Sequence, residues 1–354
     1  MKTRYLSTGN EACAEGALRA GCRFYAGYPI TPQNELIAYM ARHMEERDGI
    51  FIQSESELAA ISMVLGASAA GARAMTSSSS PGISLKQEGI SYMAGCELPA
   101  VIVNIMRGGP GLGNISASQS DYFQATKGGG HGDYRLIVLA PATVQEMFDF
   151  TFKAFELADK YRTPVMILSD GMLGQMMEPL EYDEDIEPSG ITKKPWAMTG
   201  AKGREAQSIR SLYLGDGVLE EYNKKLQKKY KKIKNNEIKC ELYKCDDADI
   251  ILVAYGSAGR ITGSCIDKLR EDGIKAGFIK PVTLWPFPYD IIKKAAENVD
   301  RFIVVEMSTG QMVEDVMLAV EGKAKVEFYG RTGGSIPQAE DIINVAKEKC
   351  NKCK

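Results

Sequence analysis

FIQSESELAAISMVLGASAAGARAMTSSSSPGIS, residues 51–84, is the stretch on which the reading of this chain turns. Phe51, Ile52 and Gln53 read as a short strand, followed by a turn carrying Glu55 and Glu57. The helix after it is dense in alanine and glycine, so its backbone can approach a neighbour closely as a core or interface element. A second strand over residues 73–76 then opens into TSSSSPG, four serine hydroxyls ahead of Pro81 and Gly82, and a further helix over 83–94. In α/β proteins ligands collect beyond the carboxyl ends of strands, and a helix N-terminus attracts anions. A solvated linker and a ligand loop weigh equally for the serines. Ser54 and Glu57 have the S-x-x-E spacing of a capping box, and spacing alone makes Glu57 structural.

Upstream, residues 10–20 read as a helix stopped by Gly21, and residues 22–26 as a strand. That strand empties into GYPITPQNE, where Gly27, Pro29 and Pro32 fix the path and Tyr28 and Thr31 offer hydroxyls. Thr31 as N-cap with Pro32 at the first helical position is the structural reading of the loop. Downstream, PAVIVNIM (99–106) is an apolar run broken only by Asn104, the signature of a strand buried on both faces. Arg107 stands at its end, beside GGPGLGN, where a guanidinium can grip a carboxylate in a bidentate manner. Strands at 136–140 and 164–168 around a helix at 144–158 complete the alternation of a parallel α/β sheet.

From about residue 177 to 247 the pattern gives way to acidic turns, PSGITKKPW and a very polar helix, read as a connector with a solvated charged face. Gly215-Asp216-Gly217 and Asn235-Asn236 imitate a thiamine-diphosphate metal motif, but residues 218–234 between them form a single polar helix with no buried strand, so the motif is rejected. A second α/β unit begins with a strand at 249–255 and GSAGR. Its next strand, 276–280, ends in Lys280 where a dinucleotide site calls for an acidic residue. PVTLWPFP reads as a rigid apolar docking element, and 302–306 as another strand. The expected organisation is 1–180, a connector over 181–247, and 248–354.

With 44% hydrophobic and 25% charged residues the chain is globular, and a net charge of −3 supplies no basic field for nucleic acid or anionic membrane. No run of roughly 18 apolar residues and no signal-peptide pattern occurs, so a cytoplasmic location is expected. Eight cysteines are scattered, only Cys350 and Cys353 forming CxxC, which reads as a frayed tail. His43 and His131 have no partner spacing for a triad or a metal, and no metal site is expected. No four-cysteine cluster motif is present, so electrons must pass to a partner.

GNEACAEGALRAGCRFYAGYPITP, QSESELAAI, MTSSSSPGISLKQEGISYMAGCELP, VNIMRGGPGLG, KGGGHGDYR, IKPVTLWPFP, VVEMSTGQMVEDV and FYGRTGG, in this order, resemble the 2-oxoacid:ferredoxin oxidoreductases. SSSSPGISLKQEG and GGPGLG are most similar to the pyrimidine-domain (B) subunit of the branch acting on 3-methyl-2-oxobutanoate. The resemblance implies a thiamine-diphosphate-binding pyrimidine domain with a parallel sheet, plus a second α/β domain like the transketolase C-terminal domain. It implies a heteromeric enzyme that decarboxylates a 2-oxoacid oxidatively, makes an acyl-CoA and reduces ferredoxin. A partner subunit would hold the diphosphate and Mg2+, and further gamma or ferredoxin-like subunits the iron-sulfur clusters. Glu57 falls where the family glutamate bonds the pyrimidine N1′ and promotes the imino tautomer that generates the ylid. Thr31 and Arg107 match the residues that contact the substrate carboxylate. Tyr28, Pro29 and the serines at 77–80, among them Ser79 and Ser80, would line the pocket, and Ser54 or Ser56 would cap the helix in place of Glu57. A 2-oxoglutarate or pyruvate enzyme of the same family, and a non-catalytic scaffold subunit, are the alternatives.

Overall fold

The computed structural model describes residues 2–188 and 193–351. Cys353, and with it the CxxC reading, lies outside the described residues, as do residues 189–192 of PSGITKKPW. The chain opens with β1 (Lys2–Thr8), α1 (Gly9–Arg19), β2 (Phe24–Gly27), α2 (Asn34–His43), β3 (Ile50–Gln53) and α3 (Glu57–Ala69). It continues through β4 (Ala74–Ser78), α4 (Ser80–Gly95), β5 (Ala100–Met106), β6 (Ile137–Leu139), α5 (Val144–Tyr161), β7 (Pro164–Asp170), α6 (Gly171–Gln175) and β8 (Met177–Asp183). After these come α7 (Val218–Asn236), β9 (Cys240–Tyr243), β10 (Ile250–Val253), α8 (Gly256–Glu271), β11 (Ala276–Pro281) and β12 (Thr283–Trp285). The last elements are α9 (Tyr289–Ala295), β13 (Arg301–Glu306), α10 (Met312–Val320), β14 (Lys325–Gly330) and α11 (Ala339–Asn351).

Seven strands form the first sheet in the order β12-β6-β7-β5-β4-β2-β3, all parallel except β12. Its centre is β5 against β7, in register from Ala100 opposite Pro164 to Met106 opposite Asp170. Every residue of both strands is buried, as their largely apolar runs require of strands covered on two faces. On one face α5 buries Val144, Met147, Phe148, Thr151, Ala154, Phe155 and Ala158, the three- and four-residue spacing of an amphipathic helix, with Thr143 accepting the Glu146 N–H as N-cap. α1 packs on it so closely that a Cβ at Gly16 would stand 2.5 Å from the Phe148 carbonyl oxygen.

The second sheet, β14-β13-β10-β11-β9, is parallel apart from β9. Two strands cross the expected divisions. β9, inside the expected connector, forms an edge of the second sheet, whereas β12, from PVTLWPFP, extends the first. That segment, read as a rigid loop for docking, is a strand docked on β6, with Trp285 edge-on to Tyr230 of α7.

Two further corrections concern the connector. Residues 177–183 are a strand, β8, paired antiparallel along its length with β1, a strand the sequence reading did not anticipate. The polar helix α7 is fastened to the first domain rather than simply solvated. It buries Leu226, Tyr230 and Ile233, and its Lys225 and Lys229 converge on Glu97. A stripe of three apolar residues two turns long suffices, because the lysines reach carboxylates by their long stems.

Candidate active site

β4 and the start of α4 carry the serines. The expected serine loop is not a loop: β4 runs on to Ser78, paired with β5 through Ser77 opposite Val103 and Ser78 opposite Asn104, and the helix begins at Ser80. Serine has little strand preference of its own, but pairing to β5 overrides propensity. The hydroxyls then have distinct fates. Ser77 Oγ meets the Tyr25 hydroxyl at 2.5 Å and donates to Gln33 Oε1 at 2.6 Å. Ser80 Oγ accepts the Arg107 N–H at 3.0 Å and donates to Asp121 Oδ2 at 2.6 Å. Ser78 Oγ and Ser79 Oγ are buried with no partner, and Ser79, although the N-cap of α4, makes no side-chain capping bond.

Glu57 is the first residue of α3 and is only 6% exposed. The capping box does not form. Ser56 is the N-cap, its Oγ accepting the Ala59 N–H at 3.2 Å, while Ser54 Oγ donates to the Gly27 carbonyl at 3.1 Å. Glu57 thus stands at the first helical position, two residues before the place of a capping-box glutamate, and its carboxylate turns instead towards α4. A Cβ at Gly82 would stand 2.6 Å from Glu57 Oε1 and 2.0 Å from Ser78 Oγ, so glycine there is what lets the carboxylate lie against the helix. Among the described residues no hydrogen bond engages this carboxylate. A carboxylate this buried that receives no donor from the described residues is left to solvent or to a ligand.

Arg107 directly follows β5 and is itself buried. Its Nη1 donates to the Thr31 carbonyl at 3.0 Å and its Nη2 to the Leu112 carbonyl at 3.3 Å, while Nε is buried without a partner. Thr31 does not cap α2. Its carbonyl faces the guanidinium, its Oγ1 accepts from Asn34 Nδ2 at 3.3 Å, and the helix begins later, behind Gln33. Thr31 and Arg107 are therefore brought together, and Ser78 and Ser80 link them to Glu57: one lies beside its carboxylate across Gly82, the other holds the Arg107 backbone. Tyr28 and Pro29 stand exposed at the rim.

Three neighbours went unremarked as site residues. Asn104 donates to Asp121 Oδ2 at 2.9 Å and accepts the Ser80 N–H at 3.2 Å, and its polarity within an apolar strand was the available signal. Burial raises the Asp121 pKa, while the Ser80 and Asn104 hydrogen bonds act against it. Lys86 is fully buried one turn beyond Gly82, its pKa lowered to about 8 by burial, with the charge of Glu57 opposing the shift. The cavity of about 390 Å³ lined by Gly21, Arg23, Gly71, Arg73 and Asp159 lies at the opposite, amino ends of β2 and β4.

A family profile described as "Pyruvate flavodoxin/ferredoxin oxidoreductase, thiamine diP-bdg" matches residues 15–240, and one described as "Pyruvate:ferredoxin oxidoreductase core domain II" matches 248–342. The ketoisovalerate oxidoreductase subunit VorB of Methanothermobacter thermautotrophicus is 51% identical over 96% of this chain and 96% of its own. The 2-oxoglutarate synthase subunit KorA of Methanothermobacter marburgensis is 39% identical, covering 97% of this chain and 98% of its own. Among solved structures, the 2-oxoglutarate:ferredoxin oxidoreductase of Magnetococcus marinus superposes with a TM-score of 0.84 at 28% identity over 98% of this chain, which spans 65% of that longer one. A split-gene transketolase superposes with a TM-score of 0.60 at 14% identity over 96% of this chain and 97% of its own, a likeness of fold. The chain belongs to the 2-oxoacid:ferredoxin oxidoreductase family.

Proposed function

We propose that this chain is the pyrimidine-binding subunit of a thiamine-diphosphate-dependent enzyme that oxidatively decarboxylates 3-methyl-2-oxobutanoate and related branched-chain 2-oxoacids to acyl-CoA, with ferredoxin as electron acceptor. The observation that carries it is the buried Glu57 carboxylate, without a hydrogen bond among the described residues, lying over Gly82. The residues present fit the aminopyrimidine half of the cofactor: a carboxyl group for the ring nitrogen, the unpartnered Ser78 hydroxyl beside it across Gly82, and the unpartnered Ser79 hydroxyl at the N-cap of the same helix. Bound there, the cofactor supplies the nucleophilic carbon and the electron sink for decarboxylation. Glu57 holds the proton at the pyrimidine N1′. Arg107, with its unpartnered Nε, and Thr31 orient the substrate carboxylate, while Tyr28, Pro29, Ser79 and Ser80 line the pocket.

Tyr28 and Pro29 are exposed at the rim. In this reading a second subunit closes it, bringing the diphosphate and Mg2+, and iron-sulfur clusters on further gamma or ferredoxin-like subunits take the electrons. Among the described residues no helix is long and apolar enough to cross a membrane, which accords with a cytoplasmic complex. Substrate choice rests on the resemblance to the ketoisovalerate enzyme subunit, at 51% identity against 39% for the 2-oxoglutarate one.

The test is co-expression with the diphosphate-binding subunit and measurement of CoA-dependent dye reduction with 3-methyl-2-oxobutanoate, 2-oxoglutarate and pyruvate. The branched substrate is expected to give the highest kcat/KM. A higher value for either other acid overturns the substrate assignment. Turnover indifferent to Glu57→Gln overturns the site and leaves a scaffold subunit.

A further inference from the structure

Lys86 has no place in the function just described. It is fully buried on α4, one turn past Gly82, and its ammonium has two acceptors, Thr76 Oγ1 at 3.0 Å and the Glu57 main-chain carbonyl at 3.4 Å. Both are neutral. Among the described residues the other deeply buried lysine, Lys280, is paired with Glu146 at 2.7 Å and Glu241 at 3.0 Å. Among the described residues no carboxylate closes to ion-pair distance on Lys86. Burial lowers its pKa, and the charge of Glu57 acts against that fall. An ammonium desolvated against neutral acceptors destabilises a fold, and hydrophobic side chains of the same volume fill such places at less cost. Buried charges kept at that cost cluster where they tune a neighbour.

We propose that Lys86 is a positioning residue for Glu57: its ammonium, held beneath the start of α3 by Thr76, favours the ionised carboxylate and so shifts the shared proton from Glu57 to the pyrimidine nitrogen. The inference rests on the reading of Glu57 as the group that faces N1′. In the transfer the Glu57 O–H bond breaks and an N–H bond forms. The carboxylate takes the negative charge, the ring takes the positive one, and the ammonium is unchanged. The N-terminus of α3 acts in the same sense, since it also stabilises a negative group at its first residue. Lys86 never touches the ring in this scheme.

The test compares the reconstituted complex as wild type, Lys86→Met, Lys86→Arg and Glu57→Gln. Lys86→Met is expected to lower kcat at least tenfold with KM for the oxoacid within twofold. The near-ultraviolet circular dichroism of the bound ring should move from the imino towards the amino tautomer, and Lys86→Arg should restore part of both. A second readout needs no cofactor. The folded-state pKa of Lys86 lies near 8, below the ordinary 10.5, so the unfolded chain binds its proton more tightly. The penalty is therefore full below pH 8 and relieved as pH rises towards 10.5. Lys86→Met should melt above wild type at pH 7, and the gap should close by pH 10. Wild-type kcat and an unmoved tautomer band in Lys86→Met overturn the proposal. So does a loss confined to assembly or cofactor affinity that Lys86→Arg fails to restore. If Glu57→Gln itself turns over normally, the Glu57 reading has failed first, a different result from a silent Lys86→Met beside an inactive Glu57→Gln.

Discussion

Glu57 and Glu306 are both buried glutamates at strand–helix junctions, one in each half of the molecule, and the fold treats them in opposite ways. Glu306, at the end of β13, is met by the N–H groups of Gln311, Met312 and Val313 at 3.0–3.2 Å and by Ser308 Oγ at 3.0 Å. Burial raises its pKa, and those donors oppose the rise. Glu57, at the start of α3, receives no such donor among the described residues. A carboxylate that serves the fold is saturated by the fold, and one left bare is held for something else.

Replacing each by glutamine separates the two roles most sharply. Glu57→Gln should lower oxoacid-dependent turnover of the assembled complex on the order of 1,000-fold, about 4 kcal/mol of transition-state stabilisation. The melting temperature of the chain should not fall. Glu306→Gln should do the reverse. An amide places its own N–H against backbone N–H donors, costing about 2 kcal/mol of stability in urea unfolding, with kcat per folded complex unchanged. Loss of stability in the first, or of turnover in the second, would erase the distinction.

Two arginines make a similar pair. Arg73 is buried with Asp159 at 2.8 Å, a structural ion pair between the start of β4 and α5. Arg107 is buried against carbonyls, with its Nε unpartnered. Arg107→Lys removes the planar fork and should raise KM for the oxoacid roughly 30-fold, about 2 kcal/mol, with a smaller effect on kcat. Arg73→Lys should be visible in thermal unfolding and leave KM alone. An unchanged KM in Arg107→Lys would reduce that residue to a tether for the 108–113 loop.

The sheet centre was legible because β5 and β7 are long apolar runs, interrupted in β5 only by Asn104 and ending in β7 at Ser169 and Asp170, a pattern that strands covered on both faces tolerate. The serine strand was not, since the pairing of Ser77 and Ser78 with Val103 and Asn104 is a long-range contact with no local signature. β1 escaped for the same reason: its partner β8 lies some 170 residues away, and both are amphipathic edge pieces. At the site, residue types and the family resemblance picked out Glu57, Thr31 and Arg107. What spacing could not supply was direction. S-x-x-E pointed to a capping box at Ser54 and Glu57, whereas Gly27 takes the Ser54 hydroxyl and frees the carboxylate. Lys86 was invisible because a lysine on a polar-looking helix reads as solvated until its neighbours are placed.

The smallest expected contrast lies in the caps of the two helices that frame the site. Ser56 closes α3 by accepting the Ala59 N–H, whereas Ser79 precedes α4 with a buried hydroxyl that bonds nothing. Ser56→Ala should therefore cost about 1 kcal/mol in urea unfolding of the chain, the ordinary loss for a serine N-cap. Ser79→Ala should be within about 0.5 kcal/mol of wild type, or slightly stabilising, because it removes an unsatisfied buried hydroxyl. The order reverses when the cofactor is added to the complex. A hydroxyl kept for a ligand contributes only when the ligand is present, so Ser79→Ala should weaken thiamine diphosphate binding by several-fold, about 1 kcal/mol. Ser56→Ala should leave that affinity nearly unchanged so long as α3 stays folded. Equal effects of both serines on stability and on affinity would mean that capping, rather than ligand contact, explains the two hydroxyls alike.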